Sequence, residues 1–110
     1  MRAIEVRTAG VSSITVAELQ YGVAKSSRPE QNALALAALL APIDVLAFDD
    51  CAAAVYGAIR AELERAGTPI GSMDLLIAAH ARALRRTLLT DNKREFGRVA
   101  GLKVENWAEE

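Results

Sequence analysis

The hydrophobic pattern of this chain changes period repeatedly, and this alternation constrains the fold more than any other feature. Four short stretches have the apolar, β-branched character of strands: GVSSIT (10–15), IDVLAF (43–48), TLLT (87–90) and LKVENW (102–107). Helical spacing of apolar residues fills 15–25, 29–40, 49–66 and 72–86, and a polar helical turn is expected at 92–99. Strands that alternate with helices predict one α/β domain with a parallel sheet covered on both faces.

The composition excludes several kinds of chemistry. The 110 residues include one cysteine, Cys51, and one histidine, His80, which excludes disulfide frameworks, Cys/His zinc sites and mechanisms with two imidazoles. Both residues are predicted to pack in the core. The formal net charge is −1, so any affinity for phosphates must come from a local patch. No apolar run approaches the length of a membrane span, which makes the cytoplasm the expected compartment.

Three carboxylates lie near predicted junctions between strands and helices. Glu18 follows the GVSSIT strand, Asp74 lies at the start of the apolar helix 72–86, and Asp91 directly follows TLLT. In an open parallel sheet such positions line one edge, where ligands bind. Carboxylate oxygens suit Mg²⁺ or Mn²⁺, and two such ions can clamp the attacking and leaving oxygens of a phosphodiester. A site for metal-dependent phosphodiester hydrolysis is therefore one interpretation.

The same carboxylates also have a purely structural interpretation, and their spacing leaves the choice open. Thr15 and Glu18 form a T-x-x-E pattern typical of a capping box. Asp74 would oppose the helix macrodipole, and Asp91 would cap the following turn. Six cationic residues also have two interpretations: they form either a rim that contacts phosphates or an ordinary solvated face. They are Arg82, Arg85, Arg86, Lys93, Arg94 and Arg98.

Three ordered blocks of the sequence form a distinctive set: ITVAELQYGVAKS (14–26), PIGSMDLLIAAHARAL (69–84) and LLTDNKREFGRVAGLKVENW (88–107). Together they resemble the PIN-domain ribonuclease toxins of bacterial VapBC toxin–antitoxin pairs, and RAELERAGTPIG (60–71) is similar to the same group. The blocks cover nearly the whole chain. The resemblance implies a three-layer α/β/α PIN-like domain with a parallel sheet.

The resemblance also implies roles for individual residues. Glu18 matches an acidic active-site residue of the family, and Asp74 matches a principal Mg²⁺ ligand. Asp91 is expected to complete the catalytic and metal-binding set, although the resemblance leaves open whether Asp91 or Asn92 faces the metal. A second group is expected to contact the substrate: Thr90, Asn92, Lys93 and Arg94.

One motif of the family is missing from the sequence. The family begins with a strand ending in L-D-T-N, whose Asp is a main metal ligand, and no such motif occurs here. Met1 aligns about 25 residues into the family pattern, a length that holds one strand and one helix. The expectation is a single PIN domain over 1–110, truncated at its N-terminus and without its first strand and helix. Such a chain is expected to be unstable or inactive unless a partner or a second copy fills the gap.

The predicted function follows from this resemblance. It is a Mg²⁺-dependent endoribonuclease toxin, with Mn²⁺ as a possible substitute, that cleaves tRNA, initiator tRNA in particular. The implied partners are a VapB-type antitoxin and a second copy in a homodimer, with no membrane involved. The alternative is a catalytically inactive remnant that only binds antitoxin or another protomer.

Overall fold

Strands and helices alternate in the computed structural model, which describes residues 10–106, and this confirms the predicted α/β architecture. Predictions about the residues before Gly10 and about Trp107 fall outside this range. The elements in chain order are β1 (Gly10–Ser12), α1 (Ser13–Ala24), α2 (Pro29–Leu40), β2 (Asp44–Leu46), α3 (Asp50–Ala66), α4 (Ser72–Leu84), β3 (Leu88–Thr90), α5 (Lys93–Phe96) and β4 (Val104–Asn106).

The strands form two parallel pairs. β1 pairs with β2, with Val11 opposite Val45, and β3 pairs with β4, with Leu89 opposite Glu105. Both pairs are parallel, as the alternation of strands and helices predicts. Within residues 10–106, β1 and β3 do not pair with each other, so the sheet consists of two separate halves.

The core lies between α3, α4 and the β3 half of the sheet. The buried side chains that form it are Ile59, Leu63, Leu75, Ile77, Ala78, Ala79, Leu88, Phe96 and Val99. Helix α4 contributes four of these nine, and this explains why 72–86 is so apolar. The buried stretch of α4 begins at Leu75, directly after Asp74, so packing anchors the helix one residue beyond that carboxylate.

The start of α1 differs from the prediction. The Ser12 hydroxyl accepts a hydrogen bond from the Ile14 N–H at 3.1 Å and caps the helix, which begins at Ser13. Thr15 therefore lies inside the helix, where its buried hydroxyl has no hydrogen-bond partner among the described residues. The capping-box interpretation of Thr15 and Glu18 is wrong, because Ser12 is the N-cap residue and Thr15 lies three residues further on, inside the helix.

Of the two residues predicted to pack in the core, one does so. His80 is 2% exposed, its Nδ1 lies 2.7 Å from the Ser12 hydroxyl, and its ring meets the Phe48 ring edge-on at 5.4 Å. Burial lowers the pKa of His80. Cys51, by contrast, is exposed on the first turn of α3, since Ala52 takes the inward-facing position. The prediction for Cys51 is wrong.

None of the helices found in residues 10–106 is both long enough and apolar enough to cross a membrane.

Candidate active site

Asp74 lies in the first turn of α4, directly after the loop that links α3 to α4. Its carboxyl group is partly buried, and its pKa is raised from 3.8 to about 6, chiefly by desolvation. A hydrogen bond with Glu95 and the charges of Glu95 and Glu18 raise it further. A carboxylate that served only to oppose the helix macrodipole would have a lowered pKa. The helix-start interpretation of Asp74 is therefore insufficient.

Glu95 reaches the same place from α5. Its Oε1 accepts a hydrogen bond from the Gly71 N–H at 2.8 Å. This bond is the main cause of the lowered pKa of Glu95, and side-chain hydrogen bonds with Asp74 and Asn92 and the charge of Arg98 lower it too. Below about pH 6 the two carboxyl groups share a hydrogen bond in which Asp74 holds the proton and Glu95 stays ionised, whereas at neutral pH both are mostly ionised and repel each other.

Glu18 faces the pair from α1. Its side chain is exposed, and its negative charge contributes to the raised pKa of Asp74, which places it within electrostatic reach. The three carboxylates come from three different helices, α1, α4 and α5. The charge of Glu18 thus acts on Asp74 from α1, and Glu95 meets Asp74 from α5.

The loop before α4 is tied to the segment after α5. Arg98 donates a hydrogen bond from Nη1 to the Pro69 carbonyl oxygen at 2.9 Å. Together with the bond from Gly71 to Glu95, this fixes the loop at two points. The start of α4 and the carboxylate of Glu95 are consequently held together by bonds that do not involve Asp74.

The remaining predicted site residues lie at the end of β3 and on α5. Thr90 is buried, and its hydroxyl accepts a hydrogen bond from the Asn92 N–H at 3.0 Å. The Asn92 side chain hydrogen-bonds Glu95, which joins Asn92 to the carboxylate pair. Asp91 is exposed on the turn, and Lys93 and Arg94 are exposed on α5.

Sequence reasoning missed Glu95 because it assigned the third acidic position to the end of the strand. A signal was present: Glu95 lies three residues after Asn92, inside a segment predicted to be helical. Residues three apart on a helix share a face, so a side chain pointing at the site from position 92 implies another from position 95.

A second acidic group lies elsewhere, at the start of α3. One ligand atom from each of Asp49, Asp50 and Cys51 lies within 4.8 Å of the others, and all three residues are exposed. Asp49 caps the helix by accepting a hydrogen bond from the Ala52 N–H at 3.0 Å. Capping accounts for this carboxylate without a ligand.

The donor set around Asp74 fits a hard divalent cation. It offers carboxylate oxygens, and the only histidine of the chain is buried against Ser12 instead. When Asp74 and Glu95 are both ionised, their negative charges repel each other with no cation to balance them. A divalent cation would relieve this repulsion. Near or below pH 6, where Asp74 holds a proton, binding of the ion would release that proton.

The chain is similar to known ribonucleases along most of its length. The PIN-domain family pattern matches residues 1–102. The tRNA(fMet)-specific endonuclease VapC of Shigella flexneri is 47% identical over 98 residues, which span 89% of this chain and 74% of the relative. Ribonuclease VapC2 of Rickettsia felis is 47% identical over 100 residues, spanning 91% and 75%.

Solved structures show the same similarity at the level of the fold. VapBC2 from Rickettsia felis, bound to a DNA fragment from its promoter, superimposes with a TM-score of 0.88 at 47% identity, covering 91% of this chain and 75% of that one. DNA-bound VapBC from Salmonella typhimurium gives 0.87 at 44% identity, covering 89% and 74%. PIN-domain nucleases generally depend on a divalent metal, in keeping with the acidic donor set found here. The chain belongs to the PIN-domain family, among the VapC ribonucleases.

Proposed function

We propose that the chain is a Mg²⁺-dependent endoribonuclease that cleaves tRNA, initiator tRNA in particular, as the toxin of a toxin–antitoxin pair. The observation that carries this proposal is the meeting of two carboxylates at Gly71. Glu95 accepts the Gly71 N–H at 2.8 Å, and oxygens of Glu95 and Asp74 both lie within 4 Å of the position that a Cβ on Gly71 would take; the charge of Glu18 acts on Asp74 as well. The substrate is suggested by relatives from Shigella flexneri and Salmonella typhimurium that are named tRNA(fMet)-specific endonucleases.

In this proposal the carboxylates hold the ion. Asp74, Glu95 and Glu18 are the ligands, with Asp91 as the further carboxylate from the turn after β3. Mg²⁺, or Mn²⁺ in its place, would supply the positive charge that favours ionised water and a charged phosphate. The Gly71 N–H and Asn92 favour the ionised form of Glu95 and orient it, and near pH 6 Asp74 would lose its proton on binding the ion.

The substrate would lie over the end of β3 and α5. Lys93 and Arg94 are exposed there, beside the turn that carries Asp91 and Asn92, and are proposed to contact RNA phosphates. Thr90 is proposed to fix the backbone of that turn, since its hydroxyl accepts the Asn92 N–H bond. A formal net charge of −1 means that binding depends on such local cations.

The proposed partners are a VapB-type antitoxin and a second copy of the chain, with action in the cytoplasm, where tRNA is. Structural neighbours from Rickettsia felis and Salmonella typhimurium are VapBC complexes. Apolar surface for a partner exists on the first two helices, where Tyr21 is 66% exposed and Leu34 is 75% exposed.

We also propose that residues 1–110 form one PIN domain whose sheet takes a further strand between β1 and β3. The separation of the sheet into two parallel pairs supports this. A strand at that position carrying the L-D-T-N aspartate would end at the same edge as β1 and β3, near Asp74. The alternative of an inactive remnant is not favoured, since the relatives are named as ribonucleases.

The direct test is cleavage of initiator tRNA by the purified chain with Mg²⁺, Mn²⁺ or EDTA. We expect cleavage with either ion and none with EDTA. Asp74→Asn and Glu95→Gln should each lower kcat/KM at least a hundredfold, because a missing ligand removes charge stabilisation of the transition state. Asp50→Asn, in the second acidic group, is the matched control and should leave the rate unchanged. Undiminished cleavage by Asp74→Asn would refute the site.

A further inference from the structure

The C-terminal end of α4 carries a basic cavity at the opposite end of the helix from Asp74. The cavity measures about 250 Å³, and its lining is Arg82, Arg85, Arg86, Thr87, Gly101 and Lys103. Four of these six residues are cations, in a chain whose formal net charge is −1. Within residues 10–106, no carboxylate lies within salt-bridge distance of Arg85, Arg86 or Lys103.

Arg82 forms one wall of this cavity with an unsatisfied donor. Its Nη1 is buried and has no hydrogen-bond partner among the described residues, and the Glu62 Oε1 lies 3.9 Å away. The guanidinium rests against Gly101, where a Cβ would lie 3.3 Å from Nε. Since Gly101 has a φ of +80°, the backbone there suits glycine and leaves room for the guanidinium. Because Nη1 itself is closed off from solvent, Arg82 contributes its positive charge to the cavity rather than this nitrogen as a hydrogen-bond donor.

Arg85 adopts a backbone conformation that favours glycine. It ends α4 with φ 57° and ψ 40°, and α3 ends in the same way with Gly67 at φ 73°. This conformation costs a residue with a side chain about 1 kcal/mol relative to glycine. A cation near the helix C-terminus interacts favourably with the macrodipole, which would offset part of the cost of Arg85. Arg82 in the last turn of α4 already supplies such a cation, however. Stability of the fold alone does not explain an arginine at position 85, which suggests that its side chain serves binding.

We propose that this cavity binds a phosphate of the RNA backbone at a distance from the cleavage site. The proposal rests on the proposed ribonuclease function. Arginine guanidinium groups match phosphate oxygens in fork geometry, and three surround the cavity. Asp74 and Arg85 are eleven residues apart along α4, which corresponds to about 17 Å. A dinucleotide cannot bridge that distance, whereas a folded tRNA can, so the cavity strengthens binding of long substrates alone.

The test combines Arg85→Gly with Lys103→Gln. Arg85→Gly removes a charge while relieving the backbone, so a purely structural role predicts a higher Tm and unchanged RNA binding. We expect instead about a tenfold rise in the Kd for initiator tRNA. The slope of log K against log salt should become shallower by about 0.7 to 0.9, which is the contribution of one phosphate contact. KM for tRNA should rise with kcat unchanged.

The matched control is Arg65→Gln, which removes an exposed cation from the last turn of α3. It should leave both Kd and salt slope as in the wild type. Binding by the double variant that equals wild type, or an equal loss in Arg65→Gln, would overturn the proposal. Failure of the proposed function looks different, because the wild-type chain itself would then not cleave tRNA.

Discussion

A carboxyl group whose pKa is raised on folding weakens the fold at neutral pH, because the folded chain holds the proton more tightly than the unfolded chain. Asp74 has this property, with a pKa raised from 3.8 to about 6. Its contribution is fully present below about pH 4 and is lost as the pH rises through about 6. Metal binding restores what the ionised form loses, since the ion compensates the repulsion with Glu95.

Asp74→Asn should therefore stabilise the ion-free protein at pH 7. The amide keeps the hydrogen bond with Glu95 and carries no charge. We expect a Tm higher by a few degrees, since about 1 kcal/mol corresponds to 4–8 °C in a domain of this size. The difference from wild type should shrink as the pH falls from 6 to 4. Thermal unfolding in EDTA across this pH range is the measurement, and a lower Tm at pH 7 would contradict the assigned environment.

His80 has a different role, holding β1, α4 and the segment before α3 together through Ser12 and Phe48. His80→Ala removes a buried ring and leaves the Ser12 hydroxyl without this partner. We expect a loss of about 2–4 kcal/mol in the free energy of unfolding, from the cavity and the lost hydrogen bond. Urea denaturation measures it. A loss under 1 kcal/mol would show that the contact is dispensable.

At the level of elements, the loop before α4 determines how Glu95 is presented. Gly71 has φ −57°, which proline can adopt, and its N–H donates to Glu95. Gly71→Pro therefore removes the donor while keeping the backbone, and Gly71→Ala keeps both. We expect the proline variant to bind Mn²⁺ about tenfold more weakly, because hydrogen bonds to charged groups contribute about 1.5–3 kcal/mol. Calorimetry measures both affinities. Equal Mn²⁺ affinity in the two variants would show that the hydrogen bond from Gly71 to Glu95 does not contribute to metal binding.

Helix and strand positions were predictable from the sequence to within a few residues, whereas cap chemistry was not. Ser12, Ser13 and Thr15 all offer a hydroxyl near the start of α1, and only the register of β1 decides that Ser12 caps it. The contribution of Glu95 was hidden for a related reason. Its position depends on how α5 packs against the loop at Gly71, which is a tertiary contact without a local pattern.

At the level of the whole molecule, the alternating pattern predicted a parallel sheet but not its division. The spacing of apolar residues along the sequence indicates which side chains are buried, but it does not indicate which strands are neighbours in the sheet. The missing L-D-T-N motif pointed to a gap in the sheet, and within residues 10–106 the structure places that gap between β1 and β3.

A strand placed in this gap should strengthen both fold and site. We expect a chain extended before Met1 by a helix and an L-D-T-N strand to have a higher Tm and a higher affinity for Mn²⁺ than the 110-residue chain, because it pairs two sheet edges and adds a carboxylate. The same extension with L-N-T-N should gain Tm but not Mn²⁺ affinity. If neither extended chain gains Tm, no strand belongs there.

The central claim is that the carboxylates at the start of α4 form the metal site, and calorimetric titration of Mn²⁺ into the purified chain tests it most directly. Wild type and Asp50→Asn should bind with the same affinity and release a proton near pH 6. Asp74→Asn and Glu95→Gln should lose binding by at least tenfold. Loss of binding in Asp50→Asn, with retention in Asp74→Asn and Glu95→Gln, would contradict the account and move the site to the start of α3.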